Sequence, residues 1–448
     1  MSLLNKKMRL IEIHPARLLI LGFGTLILIG TMLFMLPIAT VEEGHGLSFI
    51  DALFEATSAV CVTGLAVVDT GTTFTPFGEA VLLVLIQVGG WGFMTTGVFM
   101  VVLLGKKIGL KERLVLQSTL NQFALEGVVK LVLRIITITL LIEVLGAIIL
   151  SIRWSMEMPV GKAIWYGIFH SISAFNNAGF GLEPDSLSKW VGDPIINLAI
   201  TFLFISGGIG FTVIMDLWVK KSIRKLSLHS RLALLITVII NVVASIVIFV
   251  AEFNNPATLA HLPLSDKLWA SYFQGVVPRT AGFNTIDITA MTLPSLIFIM
   301  ALMFIGASSA STGGGIKITT FALILLALWS VLTNKDEVNA LRRRISWELV
   351  NKAFSIGLTG ILFIFIIFFL LSFTEKADMS IILFETVSAF GTVGLSAGLT
   401  GDLSPLGRIL ITIMMFIGRI GPLTMAFALL KHSNKSKVKY IEEKILIG

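Results

Sequence analysis

Apolar positions in this chain fall in long runs, and short stretches rich in glycine and polar residues separate them. Leu18 to Ile38, Val81 to Leu104, Leu131 to Ile152, Ile195 to Trp218, Leu232 to Val250, Phe354 to Leu371 and Ile409 to Leu430 are each long enough to cross a bilayer as one helix, which takes about 20 residues. One further run, Leu293 to Leu332, is too long for a simple span. Between successive pairs of runs lies a shorter segment: Phe54 to Leu65, Phe169 to Phe180, Tyr272 to Phe283 and Phe384 to Leu395. These four segments can be laid on one another without a gap.

Each short segment opens on an aromatic residue, carries a glycine ten positions later (Gly64, Gly179, Gly282, Gly394) and follows it with Leu or Phe. The glycines are spaced by 115, 103 and 112 residues, so the chain reads as four copies of one unit. The first seven or so residues of each copy suit a short helix. The last five suit an extended strip with one residue able to take φ > 0. Four such strips around a pseudo-fourfold axis would turn carbonyl oxygens inward, the arrangement that replaces the water shell of a potassium ion. The expected ion ligands are the backbone carbonyls at Val62, Thr63 and Gly64; Asn177, Ala178 and Gly179; Thr280, Ala281 and Gly282; and Thr392, Val393 and Gly394. Short helices aiming their C-terminal ends at the centre would each add roughly half an elementary negative charge, which favours a cation.

Composition fixes the solvent. The 448 residues are 55% hydrophobic and 14% charged, and the mean hydropathy is +0.93, so the chain is a polytopic membrane protein of the all-α class. The single cysteine, Cys61, excludes an internal disulfide, and six scattered histidines lack metal-ligand spacing. A net charge of +7 would suit nucleic acid, but its placement does not. Basic residues cluster before the first run (Lys6, Lys7, Arg9, Arg17), after the second (Lys106, Lys107, Lys111, Arg113), at Lys220 to Arg231, at Arg342 to Arg344 and after Lys431. That is the bias of cytoplasmic loops, and no nucleic-acid partner is expected.

The same bias counts the crossings. The loops on both sides of the third unit are basic, so the run Leu293 to Leu332 makes one crossing and must leave the helix within the membrane. The stretch Gly306 to Gly315 is the only part of it poor in large apolar side chains. The expected architecture is four helix, pore-loop, helix units around one pore, with eight crossings and both termini cytoplasmic. Residues 1–17 and 431–448 form the cytoplasmic ends, and the units occupy 18–105, 128–219, 229–334 (with the intramembrane loop 306–315) and 347–430. Non-helical backbone at this depth must be buried in protein or line a wet cavity. The loop residues Ala307, Ser308, Ser309, Ala310, Ser311, Thr312, Gly313, Gly314 and Gly315 are therefore expected to form a gate below the strips, with Arg419 as its electrostatic companion.

Other residues carry narrower expectations. Arg279 reads as a structural cation behind its strip, with Glu55 or Glu385 as its partner, and Glu143 as a buried polar contact within the membrane. The glycine sets Gly89 to Gly92, Gly207 to Gly210 and Gly418 to Gly421 recur with their last glycine 27 to 31 residues after a strip glycine and suit close helix packing in preference to a hinge. Gly394 to Gly398 matches G-x-S-x-G without the strand and helix that a nucleophile elbow needs, so no hydrolase is expected. No Walker A pattern is present, nor a strand followed by G-x-G-x-x-G, so this chain is expected to bind no nucleotide. An alternating-access carrier is the competing class, since such folds use broken helices at the midplane. The common orientation of the four units favours a pore.

Val62 to Leu65 with Val68 to Thr70, Ala174 to Phe180, Pro278 to Phe283 and Phe390 to Leu395 together resemble the four filter loops of the Trk/Ktr/HKT family of potassium transporters. The resemblance covers essentially the whole chain. The chain's length and the Gly-rich break in its third unit are most similar to the Ktr-type bacterial integral membrane subunit. The resemblance implies potassium uptake across the bacterial plasma membrane, often sodium-dependent, by a homodimer with one pore per chain. It implies a separate cytosolic ring that binds the regulatory nucleotide. It also implies that glycine in all four strips goes with potassium and serine in the first goes with sodium.

Overall fold

The computed structural model of the protein describes residues 15–42, 44–92, 95–96, 128–429 and 443. Lys6, Lys7, Arg9, the cluster Lys106 to Arg113, and Lys431, Lys435, Lys437, Lys439 and Lys444 lie outside the described residues.

Among the described residues, each quarter of the chain holds a long helix, a short buried helix and a returning segment. The first contains α1 (Pro15–Phe34), α2 (Phe49–Cys61) and α3 (Pro76–Trp91), and the second α4 (Val128–Trp154), α5 (Val160–Phe175), α6 (Pro194–Gly208) and α7 (Phe211–Lys220). The third contains α8 (Leu228–Glu252), α9 (Leu264–Val276), α10 (Leu293–Phe304) and α11 (Ile318–Leu332). A hairpin, β1 (Val338–Ala340) with β2 (Arg343–Ile345), leads to the fourth: α12 (Trp347–Thr374), α13 (Met379–Gly391), α14 (Pro405–Ile420) and α15 (Pro422–Leu429).

Helices α1, α4, α8 and α12 are long and apolar enough to span a bilayer, and only a minority of each is buried. Their outward faces carry large apolar side chains such as Leu141, Val144, Val238 and Leu358, as lipid contact requires. The returning helices share a start signal. Thr75, Asp193 and Ser404 each cap a helix with their side chain, and Pro76, Pro194 and Pro405 follow at the first helical position, where a missing N–H costs nothing.

Three expected spans are broken among the described residues, and in the first, Val81 to Leu104, α3 ends before Gly92. The run Ile195 to Trp218 is not one helix but α6 and α7, bent by 96° at Ile209 and Gly210, and Ile409 to Leu430 divides into α14 and α15 at Gly421. Gly92, Gly210 and Gly421 all have positive φ, of 82°, 96° and 96°, which ends the α-helix. The first glycine of each set packs instead. A side chain on Gly89, Gly207 or Gly418 would overlap the carbonyl of Val60, Phe175 or Phe390, the same position of the short segment in each case. The expected close packing belongs to the first glycine of each set, and a helix break to the glycine three residues on.

The units close into a ring. Each returning helix packs on the short helix of the next unit: α3 on α5, α6 on α9, α10 on α13, and α14 back on α2. That cyclic rule brings the four glycine strips together.

Candidate functional site

Each short helix delivers its strip by one local device. At the ninth position of the segment the backbone enters the left-handed region, at Val62 (φ 56°), Asn177 (60°), Thr280 (68°) and Thr392 (49°), and two residues later the glycine is left-handed too, with φ of 93°, 72°, 75° and 89°. The residue between keeps negative φ. Alternating hand turns successive carbonyls toward the same side, so the strip needs two left-handed positions, not the single one expected. Three of the four are locked identically. Val62, Asn177 and Thr392 donate their N–H to Ala59, Ala174 and Ala389 at 2.9 to 3.1 Å, and the next residue reaches back to Ser58, Ser173 or Ser388 at 2.8 to 2.9 Å.

The glycines interlock. A side chain on Gly64 would overlap the carbonyl oxygen of Ala178, and one on Gly179 would lie 2.7 Å from Gly282 Cα and 3.0 Å from the Ala281 oxygen. On Gly282 it would lie 2.6 Å from the Val393 oxygen, and on Gly394 it would overlap that of Thr63. Each glycine thus abuts the carbonyl preceding the next glycine, and the sequence of contacts closes on itself after four steps. All four glycines line one cavity of about 410 Å³. Among the described residues its lining carries Asp69, Glu183 and Asp287 and no Lys or Arg. Burial pushes the Glu183 carboxyl up, but hydrogen bonds from Lys189 and Tyr166 outweigh it and hold the group below the usual carboxylate range. The cavity is therefore attractive to cations at neutral pH.

Behind the strips, polar side chains fix the wall of this cavity. Glu55 Oε1 accepts from Val67 N at 2.7 Å, His170 Nε2 lies 3.5 Å from Leu182 N, and Glu385 accepts from the hydroxyls of Ser396 and Thr400, the latter at 3.0 Å. The three occupy the same position of their repeats. Neither glutamate pairs with Arg279, contrary to expectation: the guanidinium instead donates to Asn241 Oδ1 at 3.1 Å and Thr237 Oγ1 at 3.4 Å on α8. Arg279 leaves the short segment near its inner end, while Glu55 and Glu385 face the opposite, outer loops. Glu143 is buried and accepts from Asn176 Nδ2 at 3.0 Å, a polar contact as expected.

Residues 305–317 interrupt the third returning segment between α10 and α11. The neck is drawn together by a parallel bridge of Ile305 and Ile316, with Gly306 N donating to the Ile316 carbonyl at 2.8 Å and Ile318 N to that of Ala307 at 3.1 Å. The loop projects under the strips. Thr312 Oγ1 donates to Asn177 Oδ1 at 2.7 Å and Gly314 N to Thr392 Oγ1 at 3.0 Å. On its far side Ser308 N donates to the Gly208 carbonyl at 2.9 Å, and the Ala310 carbonyl accepts from Phe211 N at 2.8 Å, across the break between α6 and α7. Arg419 donates to the carbonyls of Thr312 and Gly89, which ties the loop to the end of α3. Lys317, which the sequence reading passed over, donates to the Gly313 carbonyl at 2.6 Å. The signal for it was available: an ionisable residue inside an apolar run, like Arg419.

Residues 19–439 match the family signature described as TrkH, cation transport protein. Over 444 residues the chain is 48% identical to the Ktr system potassium uptake protein B of Bacillus subtilis (strain 168), covering 99% of each chain. It is 41% identical to the Ktr system potassium uptake protein B of Vibrio alginolyticus (96% of this chain, 94% of the relative) and 37% identical to the potassium/sodium uptake protein NtpJ of Enterococcus hirae (100% of each). The crystal structure of the potassium transporter TrkH from Vibrio parahaemolyticus superimposes with a TM-score of 0.73 over 94% of this chain and 86% of that one, at 19% identity, so it speaks for the fold alone. A signature spanning nearly the whole chain and full-length relatives well above 30% identity agree with the fourfold repeat: the chain belongs to the TrkH/Ktr family of potassium transporters.

Proposed function

We propose that this chain takes up potassium across the bacterial plasma membrane through a filter built from the four glycine strips. The observation that carries the reading is the closed ring in which each strip glycine abuts the carbonyl just before the glycine of the next unit, with no space for a Cβ. Carbonyls at Val62 to Gly64, Asn177 to Gly179, Thr280 to Gly282 and Thr392 to Gly394 replace the ion's hydration shell, and the acidic cavity outside gathers the cation. The units 18–105, 128–219, 229–334 and 347–430 each cross the membrane twice, the shorter and broken returning helices supplying the second crossing. Some sodium dependence fits a relative named for potassium and sodium. Purified chain in vesicles is expected to pass potassium many times faster than sodium under matched gradients. Equal rates for the two ions would overturn the reading.

The loop 306–315 is the gate, clasped by Arg419 and Lys317 directly beneath the filter. Its position supports this, because it bonds to strips of two units and to the break between α6 and α7, beneath the glycine ring. Two chains form a homodimer, and a separate cytosolic nucleotide-binding ring sets the gate. The cytoplasmic face is suited to such a partner. The hairpin turn presents Leu341 and Arg342 at φ of 48° and 64°, and Lys221, Lys225, Arg342 and Arg343 make no ion pair among the described residues, whereas Lys220 and Arg344 do. Reversing those four charges to Glu is expected to abolish copurification with the soluble subunit while ion selectivity is retained. Undiminished copurification would show that the ring docks elsewhere.

A further inference from the structure

We infer that a monovalent cation and the 306–315 loop compete for one set of side-chain oxygens below the carbonyl ring, so that potassium itself favours displacement of the loop. The inference rests on the reading of this loop as the gate and concerns how the gate is biased. The oxygens belong to the left-handed residues of three strips. Thr392 Oγ1 accepts from Gly314 N at 3.0 Å, and Asn177 Oδ1 accepts from the Thr312 hydroxyl at 2.7 Å. Thr280 Oγ1 accepts from Asn177 Nδ2 at 3.3 Å, and it sits so close to Gly313 that a Cβ there would overlap it. The fourth strip offers Val62, which has no side-chain oxygen. Asn177, Thr280 and Thr392 are at most 1% exposed.

The reason these side chains converge is the backbone. The left-handed residue that opens each strip turns its side chain toward the loop beneath the ring, and the same position in three units does so with an oxygen. With the loop in place, the Gly314 N–H and the Thr312 hydroxyl occupy two of those acceptors, and Gly313 packs against the third. With the loop displaced, Thr392 Oγ1 and Asn177 Oδ1 lose these donors, and water or a cation must take their place. A cation descending from the carbonyl ring is suited to do so, since neutral hydroxyl and amide oxygens continue the ligand set it is leaving. A ligand that binds one of two states shifts the population toward it, and the coupling is reciprocal. Potassium should therefore loosen the loop, and a displaced loop should raise the occupancy of the inner site.

The test uses the full-length chain in vesicles with Ser308→Cys. Ser308 is fully buried with the loop in place and its hydroxyl has no partner among the described residues, so the substitution is mild and the thiol reports displacement. Labelling by a hydrophilic maleimide is measured as choline is exchanged for potassium at constant ionic strength, with the unsubstituted chain as the control for the buried Cys61. A several-fold rise in rate with potassium is expected, with rubidium similar and sodium weaker. Thr392→Val should flatten the dependence and Thr392→Ser should keep it. A rate indifferent to potassium in the Ser308→Cys chain, or one equally responsive in Thr392→Val, would overturn the competition. Should removal of the loop leave flux unchanged while labelling still follows potassium, the gate reading fails and the competition stands. Should removal raise flux while labelling stays flat, the competition fails alone.

Discussion

Replacing Gly64 by Ser is expected to lower the potassium-to-sodium uptake ratio by about tenfold or more, equivalent to about 1.4 kcal/mol of discrimination. Two effects act together. Gly64 has φ of 93°, a conformation that a residue with a side chain rarely adopts, and its added Cβ would overlap the Ala178 carbonyl of the next strip. Because the contacts run in a cycle from strip to strip, the displaced Ala178 oxygen cannot move without disturbing the Gly179 contact with Gly282. The ring must widen or tilt, and a ring no longer matched to a dehydrated potassium ion loses its advantage over a hydrated or smaller one. The serine hydroxyl adds a ligand at a position where the other three strips have glycine, which suits sodium. Gly24→Ser is the control, since a Cβ there meets nothing within 4 Å. If Gly64→Ser reaches the membrane and retains the parent ratio of potassium to sodium uptake, the strips are not the filter.

How much of this was legible in the sequence follows from what residue types encode. Glycine at a fixed place in four copies announces its own backbone requirement, so the strips and their period could be read directly. The preceding left-handed position could not, because Val62, Thr280 and Thr392 are β-branched and ordinarily avoid it. Only Asn177 among the four tolerates that region readily. The strain, about 1–3 kcal/mol per residue, is held by the backbone bonds to Ala59, Ala174 and Ala389 and by the packing of the ring. Position in the chain likewise gave Arg279 the wrong partner. Glu55 and Glu385 lie near it in the aligned segments, but a short helix separates their end from its own, and the contact with α8 depends on how units pack. The interruption of the third returning segment was legible because charge parity and length conflict in only one run. Its attachment points on α3, on the break between α6 and α7, and on the strips are products of the ring closure, which no local pattern records.

Deleting Ser308 to Gly314 is expected to raise potassium flux at least tenfold in the absence of the cytosolic partner and to remove most of the partner's effect. The deletion is compatible with the fold because the neck survives it. Ile305 and Ile316 remain bridged, and the ends left behind are neighbours already, Gly315 being so placed that a Cβ on it would lie 3.3 Å from Gly306 Cα. Helices α10 and α11 keep their positions, and only the segment under the strips is lost. In the intact chain that segment is held by Ser308 N on the Gly208 carbonyl, Phe211 N on Ala310, Thr312 Oγ1 on Asn177 and Gly314 N on Thr392. At about 1 kcal/mol each these four bonds bias the loop toward its seat by about 4 kcal/mol, roughly a thousandfold, before Arg419 and Lys317 are counted. A pore closed by that margin conducts little until something shifts the balance. Arg419→Ala removes the clasp on Thr312 and the tie to Gly89 but leaves the four bonds, so its flux should rise less than that of the deletion. A deletion variant that is folded, inserted and potassium-selective yet conducts no faster than the parent would show that this loop does not close the pore.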